Sequence, residues 1–297
     1  MHERPMRFGR AQHLLGIVGQ PSCDPRTTGV IVLNAGLVHR VGPFRMHVQM
    51  TRQLNVRGFP TLRFDLSTLG DSGASHEAQS REQQVLSDVS SAMALLREQA
   101  GCSRFVLVGL CSGAQNAHLV AQSHEAVAGA VFLDGYAYSS TGFKVRHYLP
   151  RLLNPARVLR FLARRLRPAA PATGSLFKVE FPPQARIRNE LAGMVQRGLK
   201  LCFIYSGGAS WYFNHRRQFG ECYGQSLATH PGVSVSFLKE VDHTYILADD
   251  RRRLLDTIER WLCTYFPEVV WEEVPEPAAV RPPCAYPGRA NRLPVSP

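Results

Sequence analysis

Short apolar runs alternate with longer amphipathic stretches along most of the chain. Residues 30–33, 105–108, 128–133 and 199–205 are largely apolar at successive positions, the pattern of parallel strands buried on both faces. Further strands are expected at 12–18, 60–65 and 233–238. Helical periodicity falls between them, at 45–57, 84–99, from 112 onward, at about 217–228 and at 249–265. In the second of these, Val85, Val89, Ala92 and Leu96 share one face. This alternation predicts an α/β architecture, a mostly parallel central sheet flanked by helices.

One strand-to-helix junction carries candidate chemistry. The run Phe105-Val-Leu-Val108 ends in Gly109-Leu110-Cys111-Ser112-Gly113 and continues as a helix that starts with small residues. This is the context of a nucleophile elbow, small-x-nucleophile-x-small. With Gly109 and Gly113 as the small flanks, the central residue is Cys111. Placing Ser112 at the centre would make Leu110 and Ala114 the flanks, and a leucine there collides with the helix that must pack on the turn. Reading Cys111 as a small buried hydrophobe leaves both glycines without a purpose.

From these residues the chain resembles the α/β-hydrolase superfamily over roughly residues 12–266. More narrowly it resembles the branch with cysteine at the elbow, including dienelactone hydrolases and polyhydroxyalkanoate synthases. It is also similar to serine-aminopeptidase-like and exosortase-associated hydrolases. The resemblance implies an oxyanion hole from the backbone amide of Ser112 and one amide of the loop Asn34-Ala35-Gly36-Leu37, with Gly36 or Leu37 as the donor; the usual His-Gly is absent there. It implies a histidine after the last strand, which is His243. It also implies a catalytic acid in the loop 206–210, yet Ser206-Gly-Gly-Ala-Ser210 contains no carboxylate. Asp134, ending the strand after the elbow unit, is the expected substitute; the alternative is an aspartate that only caps the next segment. Asp242 is a poor partner for His243, because adjacent side chains diverge. The fragment Gly70-Asp71-Ser72-Gly73 matches the nucleophile motif of chymotrypsin-like proteases, but those are all-β.

Charge changes the picture in one region. From 135 to 179 there are nine Lys/Arg residues and no acidic one, and 157–167 reads as a basic amphipathic helix. The resemblance makes 135–198 a lid or cap inserted between core segments 1–134 and 199–266. The segment 267–297 reads as a disordered tail, with seven prolines from 275 onward. The net charge of +12 is mostly arginine and accompanies no nucleic-acid motif, so a solvated basic face is expected and not nucleic-acid binding. The basic stretch suits coenzyme A or an acidic acyl carrier protein as the substrate's carrier.

No run approaches the ~20 apolar residues of a transmembrane helix, and the N-terminus lacks the apolar region of a secretory signal. Seven scattered cysteines without a C-x-x-C pair point to a reducing, cytoplasmic setting and to no metal site. No cofactor motif is present. The expected function is an acyl hydrolase of esterase or thioesterase type, working through Cys111, His243 and Asp134 and a cysteinyl acyl-enzyme. The alternatives are an acyltransferase to an amine or alcohol and a catalytically silent binding protein of the same fold.

Overall fold

A computed structural model describes residues 2–267 except 23, 76 and 153–180. Its strands are β1 His2–Phe8, β2 Leu14–Gln20, β3 Thr28–Leu33, β4 Thr61–Asp65, β5 Arg104–Leu110, β6 Val127–Leu133, β7 Lys200–Ser206 and β8 Val233–Leu238. They form one sheet in the order β1-β2-β4-β3-β5-β6-β7-β8. β2 runs antiparallel to β1 and β4, and every other pairing is parallel. The C-terminal ends of β3 through β8 therefore open on one edge of the sheet.

The helices are α1 Met46–Val56, α2 Arg81–Ala100, α3 Ser112–Ser123, α4 Thr141–Leu152, α5 Gln184–Gln196, α6 Gln218–Tyr223, α7 Gln225–Ala228 and α8 Ala248–Tyr265. The consecutive apolar residues of the strands divide between two layers because strand side chains alternate. Phe105 and Leu107 of β5 join the core shared with α2, α3 and α5. Val106, Val108 and Leu110 join the core shared with α1 and α8. Each such side chain, fully buried, contributes roughly 1.5–3 kcal/mol before the entropy of ordering is counted.

The α/β architecture expected from the alternation is present. β1 has no counterpart in the expected elements, and its position explains why. It is the sheet's edge, mostly exposed, and it carries Pro5, which an edge strand tolerates. Glu3 ties it down through bonds of 2.8 Å from Arg52 and 2.9 Å from Arg63. The helix expected at 217–228 is broken into α6 and α7 at Gly224, whose φ is 96°.

Within the stretch expected as a lid, α5 buries Ile187, Leu191 and Met194 in the same core as α2 and α3. The expected basic helix at 157–167 and the proline-rich tail beyond 267 lie outside the described residues. No helix among the described residues is long and apolar enough to cross a membrane.

Candidate active site

The turn between β5 and α3 is held by backbone packing. Cys111 has φ 55° and ψ −116°, a left-handed conformation that an L-residue adopts only under constraint. The constraint comes from both sides. A Cβ on Gly109 would run into the Gly113 carbonyl, and a Cβ on Gly113 would lie 2.6 Å from the Leu33 carbonyl oxygen. The Cys111 N–H donates to the Leu133 carbonyl at 2.9 Å, fixing the turn against β6. The thiol is thereby presented at the N-terminus of α3, where unpaired amides favour negative charge.

Asp134 leaves the end of β6 with φ 49°. Its side chain is fully buried, and three donors meet it: the Ser206 N–H at 2.6 Å, the Ser206 hydroxyl at 2.6 Å and His243 Nδ1 at 2.6 Å. Because a carboxylate only accepts, Nδ1 carries the proton and Nε2 is left for another partner. The Cys111 thiol is close enough to His243 for each to shift the other's ionisation. The structure thus brings Cys111, His243 and Asp134, the three residues expected from the sequence, together beyond the ends of β5, β8 and β6.

The loop that lacks a carboxylate serves this relay in other ways. Ser206 holds the Asp134 carboxylate, and a Cβ on Gly208 would lie 2.5 Å from the His243 nitrogen. Only a bare backbone lets the histidine loop come so near. Asp242 turns away and accepts from Thr244 N–H (2.8 Å) and Ile246 N–H (2.9 Å).

The electrostatics favour an ion pair. The Asp134 carboxylate, and then Cys111, raise the His243 pKa to about 10 against the opposing cost of burial. The His243 hydrogen bond, helped by the Ser112 amide, lowers the Cys111 thiol below its ordinary value, although burial works the other way. The two shifts act in the same sense, each partner favouring the charged form of the other.

The loop expected to supply the oxyanion hole is more constrained than its sequence suggests. Gly36 and Ser112 are neighbours, but the Gly36 N–H donates to the Ser112 hydroxyl at 2.5 Å. The Leu37 side chain is 79% exposed. The loop is anchored by a residue to which the sequence reading assigns no role. Asp65, fully buried at the end of β4, accepts from the Arg40 N–H at 2.6 Å, from Asn34 Nδ2 at 3.0 Å and from the Arg40 guanidinium. His39, Asp65 and Asp71 bring three potential metal ligands together, but Arg40 sits among them and pairs with both carboxylates. Ser72 of the protease-like fragment donates to the Asp65 carbonyl at 2.7 Å and accepts from the Leu15 N–H at 2.9 Å, a structural task.

No curated protein sequence matches the chain at a significant level. Among solved structures, an esterase from Pyrococcus furiosus aligns with TM-score 0.58 and 14% identity, over 89% of this chain and 91% of that one. A serine hydrolase without a lid from Xanthomonas campestris aligns with TM-score 0.52 and 12% identity, over 90% and 95%. A serine hydrolase homologue from Coxiella burnetii aligns with TM-score 0.52 and 12% identity, over 87% and 96%. The profile of the Alpha/beta hydrolase family matches residues 30–286, and the chain therefore belongs to that family.

Proposed function

We propose that the protein is an acyl hydrolase of esterase or thioesterase type, in the cysteine-nucleophile branch of its family. The observation that carries this reading is the relay from Cys111 through His243 to the buried Asp134, in which Nδ1 meets the carboxylate at 2.6 Å. The Cys111 thiolate attacks the acyl carbon, and the carbonyl π electrons move to oxygen. The Ser112 N–H and an amide of the Gly36-Leu37 loop hold that oxyanion, a contribution of about 3 kcal/mol per donor. Collapse of the intermediate expels the alcohol or thiol, which takes the proton of imidazolium His243. Water, deprotonated by the now neutral His243, attacks the cysteinyl thioester and releases the carboxylic acid and the thiolate. Asp134 keeps the imidazole in the tautomer both halves need. An esterase among the structural neighbours supports ester cleavage.

Thioesters suit a thiol nucleophile because the leaving thiolate competes well with Cys111 in the tetrahedral intermediate. The run of nine Lys/Arg residues between 135 and 179 supports coenzyme A or an acidic acyl carrier protein as the carrier. The occupied Gly36 N–H favours a second reading in which the hole stays closed and the fold binds acyl ligands without turning them over. One experiment separates the two. The protein is mixed with an acyl thioester, quenched and analysed by peptide mass spectrometry. Acyl mass on Cys111, absent from Cys111→Ala, supports the hydrolase; unmodified Cys111 with no turnover supports the silent binder. Adding an amine or alcohol to the acyl-enzyme reports transfer as against hydrolysis.

A further inference from the structure

Ten large hydrophobic side chains are exposed among the described residues, and nine of them, all but Val56, follow the C-terminal ends of parallel strands. Leu37 follows β3, Tyr148 and Leu149 lie on α4 after β6, Trp211 follows β7, and Ile246 and Leu247 follow β8. Contacts join these segments around the mouth that holds Cys111 and His243. The Arg251 guanidinium lies 5.6 Å from the centre of the Phe44 ring and donates to the Ile246 carbonyl at 2.6 Å. Arg146 of α4 donates to Asn214 at 3.1 Å, and Gly208 abuts His243. The segments carrying these apolar side chains are thus neighbours at the strand-end edge, an open collar beside Cys111 and His243 with Leu37 79% and Trp211 68% exposed.

The charges of this rim are lopsided. Its acidic groups are engaged: Asp71 by His39 and Arg40, Glu221 by Arg146, Asp242 by neighbouring N–H groups and Asp249 by Arg252. Arg45, Lys144, Arg216 and Arg217 are exposed and have no ion-pair partner among the described residues. Separate apolar prongs, aromatic ones included, interspersed with unpaired cations match the chemistry of a headgroup interface. There, aromatic rings settle at the acyl boundary while Lys and Arg reach phosphates. A single protein partner would instead be expected to meet one contiguous apolar patch with a polar rim.

We propose that this collar docks the protein on an anionic phospholipid surface with the Cys111 mouth turned towards the lipid. The docking is independent of the acyl-enzyme reading, because binding is measured without turnover.

The test is co-sedimentation of the full-length protein with phosphatidylglycerol/phosphatidylcholine vesicles and with phosphatidylcholine vesicles alone. Binding is expected on the anionic vesicles, weakening with salt. Trp211→Ser/Ile246→Ser and Arg216→Glu/Arg217→Glu are each expected to lower it by at least roughly tenfold, since each cation near such a surface is worth ~1 kcal/mol. All four side chains are exposed, so wild-type melting temperatures are expected for both variants. Equal binding to neutral vesicles, no binding at all, or binding that neither variant changes overturns the proposal. So does a concentration-dependent dimer that the apolar variant dissociates, since the occupant is then a second copy. Acrylamide that fails to quench Trp211 in the lipid-free monomer, read as the difference from Trp211→Phe, also overturns it, because the chain then covers its own collar.

Discussion

Replacing Asp134 by asparagine changes one atom of the relay and reverses the direction of its hydrogen bond. In the native site, Oδ1 accepts the Ser206 N–H at 2.6 Å, and Oδ2 accepts both the Ser206 hydroxyl and His243 Nδ1–H at 2.6 Å. Asparagine can keep its oxygen on the Ser206 N–H, but its NH2 group then occupies the second position. The Ser206 hydroxyl can rotate to accept, whereas Nδ1 can accept only by giving up its proton. The imidazole is then held with its proton on Nε2, facing Cys111, where it cannot take the thiol proton. What is lost is one charge-assisted hydrogen bond, about 2–3 kcal/mol. Because the His243 side chain is 39% exposed, water screens part of the coulombic attraction, which argues against a larger figure. The expected fall in acylation rate is on the order of 10²-fold. Stopped-flow measurement of the acylation burst with a p-nitrophenyl ester reads the rate, and iodoacetamide alkylation against pH reads the thiolate. The alkylation midpoint should move up towards that of a free thiol. A burst rate and an alkylation profile both unchanged from wild type would refute the relay and leave Cys111 and His243 as a dyad.

Three further outcomes follow from the same geometry. Activity of the wild-type protein should be bell-shaped in pH: it appears as the lowered Cys111 thiol ionises and disappears as His243 loses its proton near pH 10, so a plateau through pH 11 would contradict the ion pair. Ser112→Ala frees the Gly36 N–H from a bond worth about 1 kcal/mol and should speed acylation by roughly fivefold, whereas a hundredfold loss would make the hydroxyl itself a participant. Gly208→Ala pushes a methyl group against the His243 backbone and should cost about 1–3 kcal/mol by thermal melting while removing most activity; wild-type kinetics would show that the histidine loop has room to move.

The sheet and the elbow were legible in the sequence because strands buried on both faces are uninterruptedly apolar and the two glycines have no other use. His243 and Asp134 were legible as residues ending strands, positions that share one edge of a parallel sheet. β1 was not, since an exposed edge strand leaves no apolar pattern to read. Ser206 and Asp65 were also invisible as supports. Each is one polar residue at a strand end, and its task depends on partners up to 72 positions away, namely Asp134 for Ser206 and Arg40 and Asn34 for Asp65. The capture of the Gly36 amide by Ser112 joins residues 76 positions apart and depends on a rotamer, which sequence patterns do not encode.

The main chain at the elbow is held by Gly109, Gly113 and the Cys111 N–H on Leu133, and the side chain at 111 takes no part in holding it. Substitution is therefore expected to act very differently at these three neighbouring positions. A change at either glycine meets the full steric cost, while a change from cysteine to serine needs a single nucleotide and adds no atom that the backbone must accommodate. Sulfur and oxygen can trade places over a lineage's history without an unfolded intermediate. The atom displayed at position 111 is free to change while the architecture that displays it stays fixed.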